Sequence, residues 1–346
     1  MCDVGYGFLS GDERSSTGFS TSPPLFFMAK YSGIDISKDT LDVDLPGGVV
    51  CYVQTAADHA RLIAALPAEA IVVVEATGPY GLRLLGALHQ AQRPVCVVNP
   101  LQARRFAQSQ LRRSKTDRSD ARVLTAFGEA FKPRLTEAKS GEQQQLTQRQ
   151  ALLELLKKQL VALGNHAQSL ALALWPDPVS EAALTEQMTR LNEQIAQLEA
   201  ELDARVQAAF PAYERLRSIP GLGPKTVAAL LLAGPGLGAF RGWRQAVAYA
   251  GLCPRHFQSG TSVKAPTRLS KLGDSRLRRL LYMGSWSACR VNPPCKALYE
   301  RLIERGLAKQ QALCAVAGRL LRQAWAIFND PKGRLFDPTL HLSTGN

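Results

Sequence analysis

The sequence has no apolar stretch long enough to cross a membrane. Its most apolar runs, such as Ala70–Val74 and Val227–Ala233, fall well short of the ~18–20 apolar residues that a transmembrane helix needs. Residues 1–27 also lack the basic and then apolar layout of a signal peptide. We therefore expect a cytoplasmic protein with no membrane partner.

Cysteine and histidine show none of the spacings that metal sites and disulfide frameworks use. The seven cysteines are odd in number and include no C-x-x-C pair, and the five histidines are scattered singly. Several cysteines lie within apolar runs, as Cys96 does in Val95–Val98. This pattern is typical of reduced, buried thiols and argues against a zinc site or a disulfide framework.

Positive charge is present in excess, and the excess is concentrated. The formal net charge is +13. Residues 93–134 carry ten Lys and Arg against three acids, and residues 255–279 carry seven against one, so these two basic segments hold the entire excess. Such concentration favours contact with a polyanion such as nucleic acid. The alternative is that the two segments form solvated helix faces.

The N-terminal third of the chain has an α/β pattern. Residues 1–27 are rich in Gly, Ser and Thr and precede Met28, so we expect them to be a disordered extension or the result of a misassigned start. Residues 28–135 alternate strand-like and helix-like runs in the order βββαβαβ, followed by two helices. This order predicts a mixed sheet covered by helices.

The rest of the chain is predicted to be mainly helical. In residues 140–210, apolar residues spaced by four and three positions, from Leu184 to Leu202, form a coiled-coil seam. A leucine-rich helix precedes this seam, and the Trp175–Pro178 break between them predicts an antiparallel helical hairpin that serves for oligomerisation or as a spacer. We expect residues 211–330 to form a mostly α-helical C-terminal domain with Gly-rich breaks, and residues 331–346 to form a tail.

A glycine-rich turn in the C-terminal region predicts contact with a nucleic-acid backbone. Ser218–Val227 resembles a helix-hairpin-helix turn, in which Gly221 and Gly223 permit the tight turn and Lys225 lies at the start of the following helix. Backbone N–H groups at a helix start can hold a phosphate. The alternative is an ordinary connection between two helices.

Four carboxylates predict a metal site for phosphoryl transfer. Asp35 lies between isoleucines inside a strand, a position that disfavours Asp, and Glu75 ends the Val72–Val74 run. Asp117 and Asp120 are three residues apart at a helix start, where helix capping is the alternative explanation. Oxygen ligands suit Mg²⁺ or Mn²⁺, which can clamp the attacking and leaving oxygens of a phosphodiester.

Basic residues surround these acids in the sequence. The predicted contacts to the nucleic-acid backbone in the first basic segment are Arg104, Arg105, Arg112, Arg113 and Lys115. An acidic metal site within a basic frame is what phosphoryl transfer on nucleic acid requires.

The motifs that carry these acids resemble the DEDD transposases of bacterial insertion sequences, a group that includes Piv-type DNA invertases and bridge-RNA-guided recombinases. The resemblance covers residues 32–328 and is carried by Gly33–Lys38, Glu75–Gly78, Lys115–Ala121, Ser218–Gly223, Ala250–Pro254, Gln258–Gly260 and Leu269–Leu281. It implies a RuvC-like, RNase H-type N-terminal domain in which Asp35, Glu75, Asp117 and Asp120 bind Mg²⁺. It also implies a nucleoid-associated location.

The resemblance further implies a serine nucleophile that becomes linked to DNA, and its Ser-Gly motif corresponds to Ser259. Ser262 is a close competitor on chemical grounds. The cations expected to stabilise the phosphorane are Arg255, Lys271, Arg278 and Arg279. The implied partners are donor and target DNA, a structured non-coding guide RNA and further copies of the chain in a dimer or tetramer.

Three alternatives remain at this point. The first is a Holliday-junction nuclease of the RuvC type, which would use the four acids without a covalent serine. The second is an actin-like sugar or acetate kinase, whose phosphate loop also begins with G-I-D but has Gly where this chain has Ser37. The third is a DNA-binding protein without catalysis, which would keep its function when Asp35 is replaced.

Overall fold

The computed structural model describes residues 31–76, 78–110, 117–234, 236–259 and 263–339, with the backbone alone at 117–119, 256–259 and 263–268. The chain separates into two compact units, Met1–Thr136 and Glu137–Asn346. The expected extension at residues 1–27 lies outside the described residues. None of the described helices has the length and apolar character needed to span a membrane.

The N-terminal unit contains a five-stranded mixed sheet, as the βββαβαβ pattern predicts, with strand order β3-β2-β1-β4-β5. Its strands are β1 (Tyr31–Ile36), β2 (Thr40–Leu45), β3 (Gly48–Val53), β4 (Ile71–Glu75) and β5 (Val95–Val98). Its helices are α1 (Ala56–Ala65), α2 (Leu82–Gln90), α3 (Pro100–Ser109) and α4 (Asp117–Phe131). The first three strands pair antiparallel, while β1, β4 and β5 run parallel.

Helices cover both faces of this sheet. Side chains alternate along its strands, and both resulting faces carry apolar residues. Ile34 and Ile36 of β1 belong to a buried cluster with side chains of α1 and α2. Tyr31, on the opposite face of β1, packs with side chains of α3 and α4. Since side chains alternate along a strand, Gly33 and Asp35 share the face of Tyr31. Asp35 therefore belongs to the α4 side of the sheet.

Gly33 allows α4 to lie directly against β1. A Cβ added at Gly33 would be 2.1 Å from the carbonyl oxygen of Ala121 and 2.6 Å from the backbone nitrogen of Thr125. The Gly33 N–H also donates to Oγ1 of Thr125 at 2.8 Å. At the start of β1, the ring of Tyr31 lies close to Gly128. A side chain at position 33 would therefore push α4 away from the sheet.

We expect Gly33→Ala to lower the free energy of unfolding by about 1–3 kcal/mol, the usual cost of overpacking a tight contact. Thermal or denaturant unfolding measures this loss. Gly86→Ala is the matched control, because a Cβ at Gly86 within α2 meets no atom within 4 Å and Ala is the better helix former. Equal stability of Gly33→Ala and wild type would show that α4 does not rest on β1 as described.

The C-terminal unit is mostly helical and contains one β-hairpin among its described residues. Its helices are α5 (Gly141–Ala171), α6 (Pro178–Ala209), α7 (Tyr213–Arg217), α8 (Pro224–Leu232), α9 (Trp243–Tyr249), α10 (Ser275–Val291), α11 (Pro293–Glu304) and α12 (Lys309–Phe328). The hairpin consists of β6 (Pro254–Ser259) and β7 (Val263–Leu269). The mostly helical C-terminal domain agrees with the sequence, and the hairpin is a feature that the sequence did not predict, because short polar strands carry little periodicity and pair only in three dimensions.

The predicted seam lies inside an antiparallel pair formed by α5 and α6. Opposite ends of the two helices meet in the ion pairs Arg149–Glu201 at 3.1 Å and Arg205–Glu142 at 3.7 Å. The seam residue Ile195 is buried in the same core as α8, α10 and α12. By contrast, the tip of the pair leaves Trp175 87% exposed.

All described cysteines are free thiols, in agreement with the sequence. Cys96 and Cys295 are buried, and burial raises the thiol pKa of Cys96 to about 11 and of Cys295 to about 12. Cys51 is exposed and so differs from the buried thiols that the sequence indicates for several of the cysteines. Cys51 lies on β3, the strand at the edge of the sheet, and its side chain is on the exposed side of that strand.

Candidate active site

Asp35 and Glu75 lie side by side on neighbouring strands. Strands β1 and β4 are parallel, and Ile34 is registered against Val74, one residue before each acid. Val73 of β4 belongs to the apolar cluster beneath α3 and α4, so Glu75, two residues later, shares that face. Both acids lie near the carboxyl ends of their strands, the edge at which open α/β sheets bind ligands. The register therefore brings the two acids onto adjacent strands at one edge of the sheet.

Asp42 is a further carboxylate at this site that the sequence analysis did not single out. It is the cross-strand partner of Asp35 on β2 and is only 8% exposed. Its neighbours Leu41 and Val43 face α1 and α2, so Asp42 faces the α4 side with Asp35. The three-residue connection Ser37–Asp39 was the available signal, because pairing Ile36 with Leu41 also pairs Asp35 with Asp42.

Helix α4 begins near the Asp35 end of β1. The helix runs antiparallel to the strand, since Tyr31 meets Gly128 whereas Gly33 meets Ala121. Asp35 is two residues, or about 6.6 Å, beyond Gly33. Asp117 begins the helix four residues, or about 6 Å, before Ala121. Asp120 is four residues before Leu124, whose Cβ would be 2.8 Å from a Cβ at Gly33. The start of α4 therefore lies at the level of Asp35.

The donor chemistry of these residues fits a hard divalent cation. Asp35, Glu75, Asp42 and Asp120 offer carboxylate oxygens alone, which Mg²⁺ and Mn²⁺ prefer. Within the described part of the chain, no three His, Cys, Asp or Glu side chains are grouped closely enough to hold one ion. The side chain of Asp117 lies outside that part, so this statement concerns only three of the four predicted acids.

Basic residues follow the acid-bearing edge. Arg104 and Arg105 are exposed on α3, the helix that begins directly after β5. Asn99 caps the start of α3 by accepting from the Leu101 N–H at 2.8 Å. The other predicted contacts of this segment, Arg112, Arg113 and Lys115, lie outside the described residues.

The glycine-rich turn connects α7 to α8, but it is tied to neighbouring helices. Gly221 has φ +103°, and a Cβ there would be 2.7 Å from Cβ of Ala288 on α10. Gly223 caps α8 without a side-chain bond, Pro224 has no N–H, and the N–H groups of Thr226 and Val227 both donate to the carbonyl oxygen of Gly223 at 3.0 Å. Lys225 is 62% exposed and forms a 2.8 Å ion pair with Glu199 of α6. The structure therefore shows this turn packed against α10 and its lysine paired with α6, which agrees with an ordinary connection between two helices.

Ser259 is the last residue of β6, next to the hairpin loop, and its backbone is paired with Val263. Ser262 lies outside the described residues. Arg255 is exposed near the base of the hairpin, four residues or about 13 Å of extended strand from Ser259. The structure therefore places Ser259 and Arg255 toward opposite ends of one strand.

The other cations expected beside Ser259 lie at the base of the hairpin or beyond it. Arg278 donates from Nη1 to the carbonyl oxygens of Ala250 at 3.1 Å and Lys271 at 3.4 Å. Lys271 is exposed and has φ +53°. Arg279 pairs with Glu154 of α5 at 2.8 Å. These contacts give Arg278 and Arg279 structural roles in holding α10.

Two family models match the chain. Residues 32–176, which include Asp35, Glu75, Asp117 and Asp120, match a family described as a transposase with a DEDD domain of the IS110 type. Residues 213–300, which include Ser259, match the transposase IS116/IS110/IS902 family. The first match extends from the N-terminal unit into the C-terminal unit as far as residue 176, and the second lies wholly within the C-terminal unit.

Individual relatives agree with these matches. The chain is 30% identical to the pilin gene-inverting protein of Moraxella bovis over 277 residues, which cover 78% of this chain and 83% of the relative. It is 28% identical to the pilin gene-inverting protein of Moraxella lacunata, over 90% of this chain and 98% of the relative. It is 27% identical to the transposase for insertion sequence element IS1111A of Coxiella burnetii, over 86% and 89%. The chain therefore belongs to the IS116/IS110/IS902 family of insertion-sequence transposases and DNA invertases.

Proposed function

We propose that this chain is a site-specific DNA recombinase that uses Asp35, Glu75, Asp117 and Asp120 to bind Mg²⁺ or Mn²⁺. Its family implies that it cuts and rejoins DNA. The observation that supports the metal site is the register of β1 and β4, which places Asp35 beside Glu75 on the face that α4 covers. We propose that the N-terminal unit is a RuvC-like, RNase H-type domain, in keeping with its mixed sheet.

The acids would act by holding charge at fixed positions. Asp35 and Glu75 project from adjacent strands, which restrict their backbones, and Asp120 projects from a helix that Gly33 holds against the sheet. When bound, the divalent cation would stabilise the negative charge that develops on the oxygens around phosphorus. Asp42, buried opposite Asp35, would restrict where the Asp35 carboxylate can lie.

Ser259 is the nucleophile in this proposal. Its Oγ would lose a proton to a base and form a bond to phosphorus, while the bond between phosphorus and one DNA oxygen breaks. The departing oxygen would take up a proton and leave as a hydroxyl. The phosphoserine ester retains the bond energy, so attack by a DNA hydroxyl can rejoin a strand and release the serine. The position of Ser259 next to the hairpin loop favours access to DNA.

A structured guide RNA and further copies of the chain complete the proposal. The first basic segment provides charge for nucleic acid, and Arg104 and Arg105 are exposed there. RNA that copurifies with the protein from cells carrying the whole element tests the guide directly when it is sequenced. An element-encoded transcript is expected, and RNA of only random origin would reject guidance.

The tip of the α5–α6 pair is the proposed contact between copies. Leu172, Leu174, Trp175 and Val179 are each more than 70% exposed, an apolar group that is unusual on a surface facing water alone. Light scattering should report a dimer or tetramer for the wild type and a smaller assembly for Trp175→Ser with Leu174→Ser. Leu155→Ser, at a 52% exposed position within α5, is the control. Unchanged mass for the double variant would reject this contact.

An inversion and excision assay tests the proposed activity as a whole. The gene and its flanking DNA are placed on a plasmid in a bacterial host, and rearranged junctions are counted by sequencing. Joined junctions are expected. Broken ends without joined junctions would instead favour a junction nuclease that lacks the covalent serine step.

A further inference from the structure

A small cavity in the C-terminal unit is lined by polar side chains that come from three helices. It has a volume of about 260 Å³ and lies between α5, α8 and the start of α10. Its polar lining residues are Lys139, Thr147, Gln150, Asp274 and Arg276. We call this cavity the Gln150 pocket. All of its lining residues belong to the unit Glu137–Asn346.

The side chain of Gln150 is buried at this pocket without a hydrogen-bond partner. Gln150 is 5% exposed, and its Nε2 donates to no acceptor among the described residues. A buried donor that is left unpaired costs about 1–3 kcal/mol. Buried polar groups in proteins are therefore nearly always paired with another protein group, with water or with a ligand. The unpaired amide marks the pocket as a place where a polar molecule can be held.

Lys139 brings a cation to the same pocket. It directly precedes Ser140, the cap of α5, and burial lowers the pKa of its ammonium. Among the described residues, no carboxylate forms an ion pair with this ammonium. Taking a cation out of water without an opposite charge is unfavourable, and an anion beside it would offset this cost.

The acids around the pocket are already engaged by other groups. Oδ1 of Asp274 accepts from the N–H groups of Arg276 and Leu277 at 2.9 Å each and so caps α10. Glu154 pairs with Arg276 at 3.2 Å and with Arg279 at 2.8 Å. These two carboxylates and two guanidinium groups balance in charge. The ammonium of Lys139 therefore gives the pocket its positive charge.

We propose that the Gln150 pocket binds a small oxyanion of the phosphate class. The Lys139 ammonium makes a charge-assisted bond to the anion, and the Gln150 amide donates a second hydrogen bond to it. The volume is below the range of about 300–1,000 Å³ that is usual for drug-sized ligands, which suits inorganic phosphate or a terminal phosphate monoester. The proposal does not rest on the metal-binding acids or on Ser259, because none of them lines this pocket.

Acetylation of the wild-type, full-length chain tests the site without a variant. Acetic anhydride modifies the neutral form of lysine amines, and mass spectrometry of peptides measures its extent at each lysine. Inorganic phosphate should slow acetylation of Lys139 by about 3- to 10-fold relative to chloride at equal ionic strength, because a bound anion stabilises the charged ammonium. Lys158, exposed on α5, is the internal control and should react at the same rate in both salts. Equal effects of phosphate at both lysines would overturn the proposal.

Variants test the two groups that are proposed to hold the anion. Calorimetric titration with inorganic phosphate at fixed ionic strength measures the affinity of the full chain. Gln150→Leu and Lys139→Gln are each expected to weaken binding by about 10-fold, which is the usual effect of losing one hydrogen bond to a charged group. Gln148→Leu, at an exposed position of α5, is the matched control and should bind phosphate as the wild type does. Unchanged affinity in both pocket variants would show that the pocket holds water alone.

A second probe identifies the source of the phosphate. Thymidine 5′-monophosphate is titrated in the same way as inorganic phosphate. Tighter binding of the inorganic ion identifies a free anion as the ligand, and tighter binding of the monophosphate identifies the end of a nucleotide chain. Failure of both probes to bind would overturn the proposal. Asp35→Asn should bind the probes as the wild type does, so failure of the recombinase proposal is distinguishable.

Discussion

Asp35→Asn is expected to reduce recombination by at least about 10³-fold. Replacing a charged carboxylate by a neutral amide removes a ligand for the cation, and a loss of about 4 kcal/mol in transition-state stabilisation corresponds to this factor. Glu75→Gln should have the same effect, because Glu75 lies beside Asp35 on the neighbouring parallel strand. Junction counts in the plasmid assay, made with both variants, measure the effect.

The stability of Asp35→Asn should not fall with its activity. Asp35 faces Asp42 across β1 and β2, and like charges directly opposite one another destabilise a sheet. Neutralising one of them should leave the melting temperature equal to that of wild type or raise it. Asp39→Asn, in the exposed turn between the same strands, is the matched control and should keep both activity and stability. Full recombination by Asp35→Asn would show that catalysis does not need the Asp35 carboxylate and would reject this residue as a ligand of the catalytic cation.

Ser259→Ala is expected to abolish the covalent link between protein and DNA and all joined junctions. The alanine variant lacks the oxygen that would bond to phosphorus, so no amount of metal restores the step. Denaturing gels of protein incubated with labelled DNA detect the link, and peptide mapping of the product locates it. Ser270→Ala, at the base of the same hairpin, is the control and should retain the link.

Ser262→Ala separates the two serine candidates. If Ser259 is the nucleophile, Ser262→Ala retains the DNA link and Ser259→Ala does not. The reverse pattern would assign the role to Ser262. If both single variants keep the covalent link to DNA, neither Ser259 nor Ser262 is the nucleophile.

The sequence predicted the N-terminal sheet well because its signals are local. The bounds of β1 and β2 agree with the apolar runs and with the polar turn between them. Asp35 also stood out, because an acid between two isoleucines inside a strand is unusual. Asp42 did not stand out, because Asp42 and Asp44 alternate with apolar residues, as residues on the solvent face of a strand do. Its burial arises from α4, which packs across β2 from far along the chain.

The C-terminal unit was less predictable because its important contacts join distant residues. Strands β6 and β7 carry no strong apolar alternation, and their pairing became visible only in three dimensions. Counting charge along the chain predicted two basic segments, but Arg244 and Arg322 meet at Trp243 from helices about 80 residues apart. Conversely, Arg278 and Arg279 were predicted to contact nucleic acid. In the structure, Arg278 donates to a backbone carbonyl and Arg279 pairs with Glu154.

Metal rescue of Asp35→Cys tests the central claim, that Asp35 is a ligand of the catalytic cation, most directly. A thiolate is a poorer ligand for Mg²⁺ than a carboxylate and a better one for softer ions such as Mn²⁺. We predict that purified Asp35→Cys cleaves DNA poorly in Mg²⁺ and regains a substantial part of its activity in Mn²⁺, whereas Ser259→Ala regains none. Wild-type activity of Asp35→Cys in Mg²⁺ would contradict the claim.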